Sequence, residues 1–537
     1  MPGARWDLET DYCIVGAGSA GCVLAARLSE DKSSKVLLLE AGSRDWHPFI
    51  HIPAGYFYLL RSTRHNWMYR TEPEPNTFDR DIIFPAGRGV GGTSSINGIL
   101  FTRGQAAEYD RFANELGCKG WDYQSLLPYF KKAETFEGEG SEFRGTSGPI
   151  NVAPFRTLHP LTQAFVQASG QVGYPRVKDM NAPVRDGVSL FQQNRNGRFR
   201  ASAASAYLWP ALRTNSNLAM ETNAVCTRIV LSGSKVEGLE FQRSGKLTRV
   251  RVRREVIVSC GALRSPQLLQ LSGIGDPSHL AKIGVVTNVK SPYVGKNLRD
   301  KYMVRVSHRT KGLKTINESN TLVGLSLEVL KYVFANKGLI TLGASMAAIY
   351  LRSSPEVGFP DLQLQFAPVS FSAAAPGRLE SAGGMTIGVW LSYPQSSGSV
   401  LARSSNPFDA PAINPNYLAV ESDWSRMLAG VRAAREVFAA RALSQWSVGE
   451  IAPGRDAVTH DDLYDYARGF GTTSGHYAGT CHMGSTDVSV TDTELRVRGV
   501  SRLRVVDNSV VPGPVSGGMN ATAIAVAERA ADLIRKY

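Results

Sequence analysis

Residues 11–42 constrain this chain more than any other stretch. Residues 12–15 (Tyr-Cys-Ile-Val) form a short apolar run, suited to a buried parallel strand. Gly16, Gly18 and Gly21 follow at Gly-x-Gly-x-x-Gly spacing, and a helical pattern (Val23, Leu24, Arg27, Leu28) opens directly behind them. Residues 36–39 give a second strand, and Glu40 stands at its end, 19 residues beyond Gly21. Each part suits a bound dinucleotide. Gly16 permits the tight turn, Gly18 lets backbone approach a pyrophosphate, and Gly21 lets the helix pack on the strand. Free N–H groups at the helix start face the phosphates, aided by the helix dipole. Glu40 is placed to accept from an adenosine ribose, and an acid there argues against a 2′-phosphate. The turn alone does not separate FAD from NAD.

The 537 residues suffice for two or more lobes with a large core. Sixty basic against 47 acidic residues leave a net charge of +13, which suits anionic substrates or surfaces, or simply solubility. The basic residues are scattered, and the cluster Arg249, Arg251, Arg253, Arg254 is broken by apolar residues, so no nucleic-acid partner is expected. Six cysteines lie far apart without a C-x-x-C pair. They read as small core residues in a reducing compartment, with no metal site. The start lacks an apolar targeting core, and no run of about 18 apolar residues exists to span a membrane. The expectation is a cytoplasmic protein.

Further along, residues 46–79 read as loop over the cofactor domain, and the Gly-rich residues 138–148 as a linker. Residues 85–98 (Pro-Ala-Gly-Arg-Gly-Val-Gly-Gly-Thr-Ser-Ser-Ile-Asn-Gly) offer a second close backbone approach, with Ser and Thr free to cap a helix. Residues 200–208 read as a small-residue helix, 217–229, 235–241 and 247–258 as strands, and 421–440 as a long helix. Residues 361–368, 385–393 and 398–402 alternate, as strands of a substrate-side sheet do. Residues 322–339 have apolar side chains at helical spacing, open to core packing, a lid or subunit contact, or a membrane-surface role. Near the end, Ser474-Gly-His476-Tyr-Ala-Gly-Thr480-Cys-His482, then Asp507-Asn508, then Gly517-Gly518-Met519-Asn520 place polar residues at strand and helix ends, where α/β sheets bind ligands.

In these residues the chain resembles the glucose–methanol–choline (GMC) oxidoreductases, in the style of bacterial choline-dehydrogenase-like members. Residues 87–97 resemble the family's first signature and 261–275 its second; 294–300 resemble a third stretch, and 476–480 and 503–512 the C-terminal ones. The resemblance implies an α/β fold: a Rossmann-like FAD-binding domain with a discontinuous α+β substrate domain on an antiparallel sheet. The FAD domain is expected over 1–155, 218–310 and 470–537, and the substrate domain over 156–217 and 311–469, with a lid helix near 322–339. FAD is expected on Gly16, Gly18, Ser19, Ala20 and Gly21, with Glu40 and Ala41 at the ribose and Val225 near the adenine. Arg88, Gly91, Gly92, Asn97, Gly98, Asp507, Asn508, Gly518 and Asn520 are expected on the flavin side.

The resemblance also implies chemistry: FAD-dependent oxidation of a primary alcohol (small polar, aromatic or furanic) to the aldehyde, by hydride transfer to flavin N5. His476 is the implied base, which suits a neutral imidazole. Three departures stand out. The usual second catalytic residue falls on Gly518, so Asn520, His482 or water would assist. Tyr477 replaces a proline after the histidine and could wall the pocket. Ile96 stands where some relatives attach FAD covalently, so FAD is expected to be non-covalent. Oxygen or a quinone-type acceptor would reoxidise the flavin, and a homodimer stays open. Two alternatives share the fold: a light-driven fatty-acid decarboxylase, whose cysteine is replaced by Ser392, and a hydroxynitrile lyase.

Overall fold

In the computed structural model, which describes residues 5–319, 322–372 and 378–536, the Gly-rich turn ends a strand at the centre of a seven-stranded sheet. That strand, Leu8–Val15, lies between Val36–Glu40 and Lys246–Val258, both parallel to it. Leu218–Thr222 continues the parallel run on one side. On the other side Lys235–Arg243 and Val225–Ser232 extend it as antiparallel strands, and Leu503–Val505 pairs with the end of Lys246–Val258. The apolar runs read from the sequence are the fully buried interior strands, since helices cover this part of the sheet. Helix Ser19–Leu28 packs on the final helix Met519–Arg535, whose Ala and Ile residues are almost all buried.

A second seven-stranded sheet is antiparallel. Its order is Ser447–Ala452, Tyr302–Thr310, Gly384–Leu391, Leu362–Ala367, Ala347–Leu351 and Gly187–Leu190, with Thr472–Thr473 pairing off Tyr302–Thr310. Helix Glu421–Ala439 covers one face through Trp424, Met427, Val431 and Phe438. The opposite face looks toward the nucleotide-binding lobe. Tyr302–Thr310, placed by sequence on the cofactor side of residue 310, pairs within this second sheet, so the chain crosses between lobes at residues 299–301. Residues 204–208 form a π-helical turn that packs on Ser19–Leu28, on the cofactor side of the expected boundary at 217.

Two local expectations are corrected. Residues 138–148 are no loose linker: a Cβ on Gly145 would lie 2.1 Å from the Lys131 carbonyl oxygen. Beside it the buried Arg144 meets Glu134 at 2.7 Å and Asp179 at 2.9 Å. Within 46–79 the chain forms short helices, Pro48–His51 and Tyr56–Leu59, because Pro48 and Pro53 start turns and Ile50, Tyr56 and Leu59 bury themselves. Helix Leu322–Ala335 leaves Leu325, Leu327, Leu330, Val333 and Phe334 exposed.

Candidate active site

A cavity of about 1180 Å³ runs between the two sheets. One arm follows the Gly-rich turn. Gly16 takes φ +104°, and a Cβ on Gly21 would fall 1.8 Å from the Gly16 carbonyl oxygen, so both positions exclude a side chain. Gly18 is open: a Cβ there would have no neighbour nearer than 3.9 Å. Helix Ser19–Leu28 starts without a side-chain cap, which leaves N–H groups facing this room.

Glu40 ties the arm together. Its carboxylate accepts from Ala17 N at 2.9 Å, Gly42 N at 2.8 Å and Gly89 N at 3.1 Å. Of about four acceptor positions three are filled, leaving one for a ribose hydroxyl. Burial pushes its pKa up against the pull of these bonds. The second glycine loop closes over the first, and a Cβ on Gly92 would lie 2.7 Å from Gly18 Cα. Across the arm Asp507 is buried, accepting from Gly261 N at 2.8 Å, Ser265 Oγ at 2.5 Å and Ser509 N at 2.7 Å. Asn508 Oδ1 is a buried acceptor with no donor among the described residues. An uncapped helix start, an open glycine and an unpartnered acceptor together fit FAD.

His476 lines the cavity where its arms meet, and segment 299–301 pins the loop that carries it. Ser474 N donates to Lys301 O at 3.0 Å, His476 N to Asp300 Oδ1 at 2.8 Å, and Ala478 N to Arg299 O at 2.9 Å. Asp300 also accepts from Thr473 Oγ1 at 2.6 Å and from the Tyr417 hydroxyl. Burial, the largest influence, brings its pKa up to about 6 despite these bonds. The buried Lys301 donates to Gly517 O at 2.8 Å, so the same segment holds the Gly517–Gly518 turn. Burial lowers the Lys301 pKa to about 7. Burial first, and the Lys301 charge second, hold the His476 imidazole well below its ordinary pKa. The ring therefore stands neutral, with Nδ1 at 3.2 Å from Ser474 Oγ and Nε2 without a hydrogen-bond partner among the described residues. The Trp390 ring lies 5.5 Å from it, and Tyr477 stacks on Phe84 at 4.5 Å in the wall.

The second arm is lined by Trp67, Met68 and Tyr69 and floored by the antiparallel sheet. Three strands present aligned rows: Met303–Trp390–Gln363, Arg305–Gly388–Gln365 and Ser307–Thr386–Ala367. All nine residues line the cavity, as period-two alternation on one sheet face requires.

Every site residue expected from sequence lines this cavity except Gly21, Arg88 and Gly91. Gly21 packs behind the turn. Gly91 donates from its backbone to Ala17 O at 2.7 Å, and Arg88 stacks over Trp67 at 4.7 Å. Asn520 accepts from Ser19 Oγ at 2.7 Å, joining the two helix starts, and makes no hydrogen bond to His476. His482, with Nδ1 at 3.2 Å from Gly479 O, does not line the cavity. Sequence reasoning missed Asp300, Lys301, Arg305 and Trp390. Asp300 closes a stretch already marked at 294–300, and the rest needed the pairing of distant segments.

GMC oxidoreductase family models match residues 10–303 and 394–527. An oxygen-dependent choline dehydrogenase of Sinorhizobium fredii is 39% identical over 98% of this chain and 96% of its own length. The mitochondrial choline dehydrogenase of Mus musculus is 37% identical over 98% of this chain and 90% of its own. The crystal structure of pyridoxine 4-oxidase from Mesorbium loti superposes with a TM-score of 0.89 at 29% identity, covering 98% of this chain and 99% of that one.

Proposed function

The chain belongs to the GMC oxidoreductase family, an FAD-dependent family acting on CH–OH donors, and on that premise we propose that it oxidises a primary alcohol to the aldehyde with His476 as general base. The observation that carries this reading is the His476 imidazole on the cavity wall, its loop held by the Arg299 and Lys301 carbonyls and the Asp300 carboxylate, with burial keeping its pKa low. Bound FAD supplies the hydride acceptor. His476 Nε2 takes the hydroxyl proton, which raises the carbinol carbon's readiness to give up hydride. Ser474 orients the ring, and Trp390 and Met303 shield the reacting carbon from water. Gly16, Gly18, Ser19 and Glu40 hold the dinucleotide end; Asn97, Asn508 and the Gly517–Gly518 turn hold the flavin end. The buried Ile96 offers no nucleophile, which supports non-covalent FAD.

Choline and pyridoxine, alcohols named for relatives, head a panel with furanic and benzylic alcohols. Oxygen or a quinone is the terminal acceptor. Free cysteines without disulfides support a reducing, cytoplasmic setting, and no helix among the described residues is long and apolar enough to cross a membrane. Ser392 is buried and lines no part of the cavity, which opposes the photoenzyme reading. The test is anaerobic mixing of the FAD-loaded protein with the panel. Bleaching of the visible flavin band is expected; a panel of primary alcohols that leaves the band intact overturns the proposal. Repeating turnover with oxygen and with an artificial acceptor assigns the reoxidant.

A further inference from the structure

We propose that the alcohol carries an anionic group, a carboxylate joined to the carbinol through a short aromatic or apolar spacer, and that Arg305 binds it; this rests on the alcohol-oxidation reading above. Arg305 occupies the centre of the cavity-facing rows. Its guanidinium donates no hydrogen bond and joins no ion pair among the described residues; it lies 5.0 Å from the Phe371 ring, and the Tyr466 phenol is near enough to feel its charge. Directly across the sheet stands Gly388, over which the Trp390 indole leans, so that a Cβ there would lie 2.8 Å from Trp390 Nε1, and beyond it Gln365. The Gln365 Oε1 likewise lacks a donor.

No carboxylate among the described residues answers this cation. Glu40 and Asp507 belong to the nucleotide arm and are engaged by protein donors. Asp81, the remaining acid on the cavity wall, is paired with Arg70. The segments outside the description contain no Asp or Glu. An arginine stays charged even when desolvated, and an unpaired charge in such a place is costly unless a ligand supplies the counter-charge. A carboxylate does so through two parallel N–H···O bonds.

The spacer follows from the strand register. Met303 sits opposite Trp390, whose ring reaches His476 at 5.5 Å. Arg305 is two residues further on the same face, or roughly 7 Å. The anionic group thus lies about one benzene ring away from the carbinol, with Met303, Trp390 and Phe371 lining the way. A quaternary ammonium alcohol would instead place like charge on the guanidinium.

The test compares 4-(hydroxymethyl)benzoate with its methyl ester and with choline on the FAD-loaded protein. The expected kcat/KM for the carboxylate exceeds that for the ester by about 10- to 100-fold, the worth of a charge-assisted pair, and choline is the poorest of the set. Arg305→Gln should collapse the carboxylate-to-ester ratio toward unity, Arg305→Glu should invert it, and Arg305→Lys should keep part of it. Calorimetric binding of unreactive 4-methylbenzoate, compared with its methyl ester, gives the same ranking without turnover. An ester that matches the carboxylate in the unaltered protein, or a ratio indifferent to Arg305→Gln, overturns the assignment. If no alcohol bleaches the flavin, the parent reading fails, while 4-methylbenzoate affinity and its dependence on Arg305 still decide the anion pocket.

Discussion

Replacing Ser474 with alanine tests whether the imidazole is held for work or merely buried. The hydroxyl meets His476 Nδ1 at 3.2 Å, a neutral pair worth ~0.5–1.5 kcal/mol. Loss of that bond lets the ring turn while the Lys301 carbonyl and the Asp300 carboxylate, accepting from Ser474 N and His476 N, keep the loop in place. The expected result is a fall of about 2- to 10-fold in the rate of anaerobic flavin reduction, from tenfold per ~1.4 kcal/mol, with FAD content unchanged. His476→Ala removes the base itself and should cost about 10²- to 10⁴-fold. Because the hydroxyl acts through the ring, the double variant should be no slower than His476→Ala. Stopped-flow bleaching at saturating alcohol reads all three. Full additivity of the two losses would refute the reasoning, since Ser474 would then act independently of the base.

Three other outcomes follow from the same geometry. A base works above its own pKa, and His476 is held low by burial and then by Lys301; kcat/KM should therefore stay flat as pH falls through 6.5, and Lys301→Met should shift the acid limb to higher pH. Asp300 has its pKa raised from 3.8 to about 6, so its stabilising contribution is complete below pH 3.8 and gone above about 6, where the ionised form costs about 3 kcal/mol. Asp300→Asn should thus narrow the loss of urea resistance between pH 4 and 6, and a variant with the parent's full pH dependence contradicts the assignment. Gly21→Ala forces a Cβ to within 1.8 Å of the Gly16 carbonyl, an overpacking expected to cost ~1–3 kcal/mol or more and to lower FAD content after purification, read as the ratio of flavin to protein absorbance.

The nucleotide lobe was legible because its signals are local. Gly16, Gly18 and Gly21 lie within six residues, and the two strands around them announce burial by composition. His476 and Asp507 were found through short stretches of characteristic spacing. Asp300 and Lys301 were not, because their roles exist only after residues about 175 positions apart become neighbours. Arg305 alternates with Met303 and Ser307 as any half-exposed strand residue would; nothing in that pattern says the solvent side is an enclosed cavity. Residues 138–148 were misread for the opposite reason. A run of glycines suggests looseness, whereas Gly145 and Gly148 permit backbone to lie against backbone. Asn520 carried two readings, and only its bond to Ser19 shows which way the side chain turns.

The crossing at residues 299–301 bears on how such an enzyme can change its diet. The strand that floors the alcohol arm begins where the imidazole is anchored, so a shortened or lengthened junction would disturb the base before it altered selectivity. Diversification is channelled onto the upward-facing positions of the floor, where one exchange swaps charge or bulk without touching the scaffold. A chimera that imports a foreign floor should therefore be spliced beyond Lys301, leaving the native anchor intact.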